Sequence, residues 1–296
     1  METGLTKANS GSHVPAPVAA KAWADESTAR RALFREERAA FLALYLIFIL
    51  IGELLFFLGG SSGDDTLVLL GVLVDVFLIV ALLVQASFLA TRDLALANFL
   101  AALTLAPLLR IVSVAAPIGP LTIIEWLAIV SVPLLLGVAA LTRAQGLRAP
   151  DVFLAPGARR YFAIQVALAV SGFGIGYIEY LIIQPAPWIT TPSLDQLILA
   201  GAVVFLATGV VEELVFRGIL LADGIRMFGA RPAILYVTFV YAILHVGSVS
   251  VAFLPFIFGI GLILGIAVAY TRSLWGAIAA SGIANMTLYL ILPFGF

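Results

Sequence analysis

Long runs of apolar residues, broken by short polar intervals, occupy the chain from about residue 39 onward. A helix that crosses a bilayer needs about 20 predominantly apolar residues. Nine stretches are candidates, near 39–59, 66–90, 94–116, 121–141, 161–183, 194–221, 232–246, 250–270 and 273–293. The seventh is short, and the third contains Pro107, a residue that kinks helices. Strands of a membrane barrel would alternate apolar and polar residues over ~10 positions; here the runs are continuous and rich in Leu, Ala, Ile and Val. The pattern therefore predicts an all-α, polytopic bundle of about nine transmembrane helices. Ahead of it, residues 1–20 are small, polar and interrupted by proline, the composition of a disordered tail. Residues 21–38 are good helix formers of mixed charge and predict a cytoplasmic lead-in helix. Three regions result: tail and lead-in helix at 1–38, four membrane helices within 39–149, and a core membrane region at 150–296.

Composition sharpens this picture. Hydrophobic residues make up 62% of the chain and charged residues 11%, against about 25% charged in a soluble domain. The net charge of -1 and the absence of a basic stripe argue against a nucleic-acid partner. Without cysteine, disulfides, thiolate metal sites and cysteine nucleophiles are excluded. Residues 1–37 hold no apolar core, so a cleavable signal peptide is not expected. Positive charge sets orientation. With the N-terminus in the cytoplasm, the tail and the segments after spans two, four, six and eight carry 14 of the 16 lysines and arginines. Only Arg110, near the outer end of span three, and Arg217, inside span six, fall elsewhere. An N-in, C-out protein of the cell (inner) membrane is the expected topology.

Ionisable residues at the centre of a membrane helix cost roughly 2.5–3.5 kcal/mol each. Glu53, Asp75, Glu125 and Glu179 are scattered singly over four spans, as expected of structural hydrogen bonds or of residues near the interface. Span six is different: Glu212, Glu213 and Arg217 lie within six residues of an otherwise apolar helix. Glu213 and Arg217 are four apart and share a face, so they can pair. Glu212 lies about 100° round the helix, which a packing ion pair does not explain. Adjacent carboxylates in low dielectric raise each other's cost of ionisation, the setting of a general base. Of the two histidines, His13 is in the tail, where no role is expected, and His245 ends the short seventh span. At ~1.5 Å per residue, His245, Glu212 and Asn285 lie roughly 20, 13 and 18 Å from the cytoplasmic side. Three costly polar groups on three helices at similar depth read as one site.

Glu212-Glu213-Leu-Val-Phe-Arg217 resembles the E-E-x-x-x-R signature of the CPBP intramembrane proteases, the CAAX prenyl protease and bacteriocin-processing (Abi) family. Tyr241 and His245 match that family's aromatic residue four before a histidine, with Tyr where Phe is usual. Its third signature, His-x-x-x-Asn, is met by Ser281 and Asn285, with serine in the place of histidine. The resemblance spans roughly residues 150–293. It implies an intramembrane endopeptidase in which Glu212 and His245 activate a water. Asn285 and its partner at 281 would stabilise the oxyanion, and Glu213 with Arg217 would hold the site in shape. Ser281 leaves alternatives open: a non-catalytic CPBP-like scaffold or a bacteriocin self-immunity protein, with a transporter further off because no inverted repeat is visible. Glu212, His245 and Asn285 could ligate a divalent metal, but catalytic zinc usually takes three strong ligands and a water. Without the second histidine a metal-free glutamate mechanism is favoured over zinc. The implied partners are membrane lipid and a membrane-associated peptide or protein substrate.

The charge distribution generates one direct test. Reporter fusions at residue 150 and at the C-terminus are expected on opposite sides of the membrane, the first cytoplasmic. Fusions reporting the same side would reject nine crossings.

Overall fold

The computed structural model describes residues 18–116, 119, 121–247, 250 and 252–295. His13, most of the polar tail and Phe296 lie outside the described residues. Contacts divide the chain into two compact units, Met1–Tyr45 and Leu46–Phe296, and all the candidate site residues fall in the second. Every regular element among the described residues is helical. The lead-in helix and the first span form one helix, α1 (Val18–Ser62). It is followed by α2 (Asp65–Leu89), α3 (Leu94–Leu103), α4 (Leu105–Ala115), α5 (Ile123–Ala144) and α6 (Phe162–Ile183). A continuous helical segment, α7, covers Leu194–Phe228. After it come α8 (Ala230–Ile243), α9 (Phe253–Thr271) and α10 (Trp275–Phe294).

Eight of the described helical segments are long and apolar enough to cross a membrane, with α3 and α4 together making one. The seventh expected span, α8, has 14 residues. That is about 21 Å of helix, short of the ~30 Å hydrocarbon thickness. It ends at Ile243, earlier than the hydrophobic pattern implied, so His245 sits in a turn just beyond the helix. The interruption between α3 and α4 falls at Thr104, three residues before Pro107. Proline has no N–H for the carbonyl four residues back, and its ring clashes there, so the break belongs to Pro107 as expected.

Lipid rather than water fits the outer surface. α2 turns Gly71, Asp75, Leu78, Leu82 and Ala86 inward, while Leu73, Phe77, Val80 and Phe88 are exposed. The polar residue is inside and the aromatics are outside, the reverse of a soluble helix. Between helices, close approach supplies the packing that hydrophobicity cannot supply in lipid. α6 presents Gly172 and Gly176, four apart, to α10. A Cβ on Gly172 would lie 2.6 Å from the Ala280 carbonyl oxygen, and one on Gly176 would collide with that of Ala284. Further along, Gln165 of α6 accepts from the Gly276 N–H of α10 and donates to Thr271 Oγ1 at the end of α9 at 2.9 Å.

This crossing predicts a position-specific effect. Gly176→Val should lower stability by about 1–3 kcal/mol through overpacking, read as a reduced thermal midpoint in detergent. Gly174→Val, two residues away and facing open space, should leave the midpoint nearly unchanged.

Candidate functional site

The site begins with an unusual helix. α7 is π-helical over Phe205–Val211 and again over Leu214–Leu220, with Glu212 and Glu213 between the two segments. Both glutamates keep ordinary right-handed helical dihedrals, so the irregularity lies in the hydrogen-bond register rather than in strain. π turns are rare and recur at functional sites. A third, Thr287–Ile291, follows Asn285 in α10. Glycine lets the two helices meet: a Cβ on Gly209 of α7 would lie 2.8 Å from the Ile278 carbonyl oxygen and 3.0 Å from Gly282 Cα.

At that crossing Arg217 Nη1 donates to Glu213 Oε1 at 2.9 Å, and both side chains are 1% exposed. The Ser281 hydroxyl donates to the same carboxylate oxygen at 2.7 Å, joining α10 to α7. The guanidinium lies over the Tyr241 ring, 4.1 Å from its centroid, where a cation–π contact stabilises it further. Glu213 Oε2 and Arg217 Nη2 are buried with no hydrogen-bond partner among the described residues. The ion pair expected from four-residue spacing is therefore present, and the residue at 281 is part of it.

Tyr241 leads on to the histidine. The two rings are 4.7 Å apart, and His245 Nδ1 lies 2.8 Å from the Tyr241 carbonyl. With Nδ1–H donating to that carbonyl, Nε2 is the basic nitrogen. Asn285 follows Ser281 by one turn, and its Nδ2 donates to the Ser281 carbonyl at 3.0 Å, leaving its second N–H for another acceptor. Ser281, Asn285 and Tyr289 are spaced by four and are all half-buried, so they form one stripe along α10.

Glu212 is the carboxylate left over. It sits deep among protein atoms yet keeps accessible surface, and so does His245. Glu212 lies in electrostatic range of Glu179, Tyr241 and Tyr289 as well as of Glu213 and Arg217. Glu179, buried on α6, and Tyr289, whose ring stacks on Trp188 at 3.5 Å, complete this neighbourhood. Neither was singled out from the sequence as a site residue. Glu179 is one lone acid among four, and the signal that marks it is its place one turn after Gly176, on the face that meets α10.

The structure thus joins Glu213, Arg217 and Ser281 directly, puts Asn285 one turn further on, and links Tyr241 and His245 through the guanidinium. Among the described residues no three His, Cys, Asp or Glu side chains cluster so as to hold a metal ion.

Residues 194–287 match the family model described as Type II CAAX prenyl endopeptidase Rce1-like. That segment runs from the first residue of α7 past Asn285, and so contains Glu212, Glu213, Arg217, Tyr241, His245, Ser281 and Asn285. Neither the curated proteins nor the solved structures yield a match to the chain.

Separating a structural pair from reactive groups is a matter of stability. Arg217→Ala should leave Glu213 charged and unpaired in low dielectric, costing about 3–5 kcal/mol. The measurement is the thermal midpoint and yield of folded protein. A variant as stable as the parent would show that the pair does not hold α7 and α10 together.

Proposed function

We propose that this multi-pass membrane protein, which carries an Rce1-like segment of the CAAX-protease type at residues 194–287, is an intramembrane endopeptidase. On this reading it hydrolyses a peptide bond of a membrane-associated peptide or protein. The observation that carries the reading is the division of labour between adjacent glutamates. Glu213 is neutralised by Arg217 and held by Ser281, which leaves Glu212 as the carboxylate with no hydrogen-bonded cation among the described residues.

The chemistry follows from those roles. Glu212 takes a proton from a water while the water oxygen bonds to the substrate carbonyl carbon, and His245 Nε2 orients that water. The carbonyl oxygen becomes an oxyanion and accepts the second N–H of Asn285. A fixed donor of this kind is worth about 10²–10³ in rate. Collapse of the tetrahedral intermediate breaks the C–N bond, and the proton held by Glu212 passes to the leaving nitrogen. The Ser281 hydroxyl proton is committed to Glu213, so its part is to fix the ion pair rather than to bind the oxyanion. The N-in orientation, nine crossings and location in the inner membrane complete the proposal. The likeness to a type II CAAX prenyl endopeptidase makes prenylated carboxyl-terminal tails the first substrates to try.

Purified protein in detergent or liposomes, offered a membrane-anchored reporter peptide, provides the test. Glu212→Gln keeps shape and hydrogen bonding but removes the proton acceptor, so cleavage should fall by at least ~10². Its thermal midpoint should be nearly unchanged, since a neutral amide is cheaper to bury than a carboxylate. A parent that never cleaves, beside partner binding that persists unchanged in Glu212→Gln, would instead establish a scaffold.

A further inference from the structure

The matched segment holds His245 but not what fixes it. α8 ends at Ile243, and the N–H groups of Leu244, His245 and Val246 serve the carbonyls of Val240, Ala242 and Ile243. The next carbonyl, that of Leu244, accepts a hydrogen bond from Arg110 Nη2 at 2.7 Å. Arg110 is on α4, 134 residues earlier in the chain. Its Nε donates to Glu53 Oε1 of α1 at 2.7 Å, and its Nη2 also pairs with Glu53 Oε2. Glu53 is 3% exposed, and buried Asp75 of α2 lies within electrostatic range of both. A guanidinium at a helix C-terminus meets the negative end of the helix dipole, and its planar fork suits two partners at once.

Leu244 is buried, and the imidazole lies against the Tyr241 and Phe253 rings. Gly247 is exposed and borders a cleft of about 530 Å³, lined also by Glu53, Phe56, Val68, Arg110 and Val114. The chain just past the imidazole thus opens onto this cleft, whereas the carbonyl just before it is held by Arg110.

We infer that Arg110, held by Glu53, is the positioning residue for His245: by capping Leu244 it fixes the turn in which Nδ1–H meets the Tyr241 carbonyl, so that Nε2 is the basic nitrogen. Helices outside the Rce1-like segment thereby serve its chemistry. The inference rests on the proposed peptidase for its kinetic consequence, and on the hydrogen bonds of Arg110 alone for its structural one.

The experiment uses the full chain in lipid, in a His13→Gln background so that His245 is the single histidine. Arg110→Ala leaves Glu53 buried and unpaired and risks unfolding. The informative variant is therefore Glu53→Leu with Arg110→Met, which removes both charges at similar volume, beside Arg110→Lys. Ring ¹⁵N shifts of labelled histidine report the tautomer directly. The parent should show protonated Nδ1 and unprotonated Nε2. The double variant should show both tautomers, and Arg110→Lys, which reaches one partner at a time, an intermediate mixture. Where the parent cleaves, kcat should fall roughly 10²-fold in the double variant with KM little changed, the scale of a misplaced catalytic group. Unchanged ¹⁵N shifts in a folded double variant would overturn the inference, whether or not the parent is a peptidase. Altered shifts beside a parent that never cleaves would uphold the clamp and count against the peptidase alone.

Discussion

A guanidinium cannot shed its charge in a protein, and Arg217 is placed where neither water nor a lipid headgroup reaches it. That single constraint organises the centre of the molecule. Arg217 needs a carboxylate, which makes Glu213 an anion with a fixed position. Glu213 then needs a further donor, which Ser281 provides from the neighbouring helix. For a side chain as short as serine to reach across, the helix axes must approach closely, and Gly209 and Gly282 occupy the crossing. The Tyr241 ring covers the remaining face of the cation and so brings α8 and its histidine alongside. Replacing such a pair with apolar groups is often neutral for stability. Its presence is better explained by what it positions than by what it contributes to folding.

Adjacent glutamates differ for the same reason. Both are on one helix in one dielectric environment, but only Glu213 shares the face of Arg217. Because 3.6 residues make a turn, the neighbour in sequence is rotated away by about 100°, toward Glu179, Tyr241 and Tyr289. Charge neutralisation of one acid and isolation of the other thus follow from helical geometry, with no strain in the backbone.

Much of this was legible in the chain. Lengths of apolar runs marked the helices because a bilayer enforces them, and Pro107 marked the break at Thr104 because a missing N–H has a local effect. The Glu213–Arg217 pair is a four-residue relation within one helix. What could not be read involves distance or register. The π segments on either side of Glu212 arise from how α7 settles against its neighbours, and a helix with one extra residue per turn leaves no period in the sequence. The Ser281 bond to Glu213 joins positions 68 apart, and the Arg110 cap joins positions 134 apart. Arg110 looked like an interfacial residue by its position near the end of a span. Only the fold shows that its partner Glu53 lies inward and that a helix end meets it from the other side.

Serine at position 281 fits this division of roles. An imidazole there would bring a second titrating group beside Glu213, able to donate or accept as its protonation changed. A hydroxyl holds no charge and donates one proton to one oxygen, so the ion pair keeps the same state throughout. The protons that move during hydrolysis are then confined, on the proposed reading, to Glu212 and His245. Water gives a proton to the first and is oriented by the second, and the leaving nitrogen takes that proton back. Such a cycle closes without a second histidine, provided the one histidine is held in a single tautomer. The Tyr241 carbonyl at Nδ1 and the Arg110 clamp on the adjoining carbonyl supply that condition.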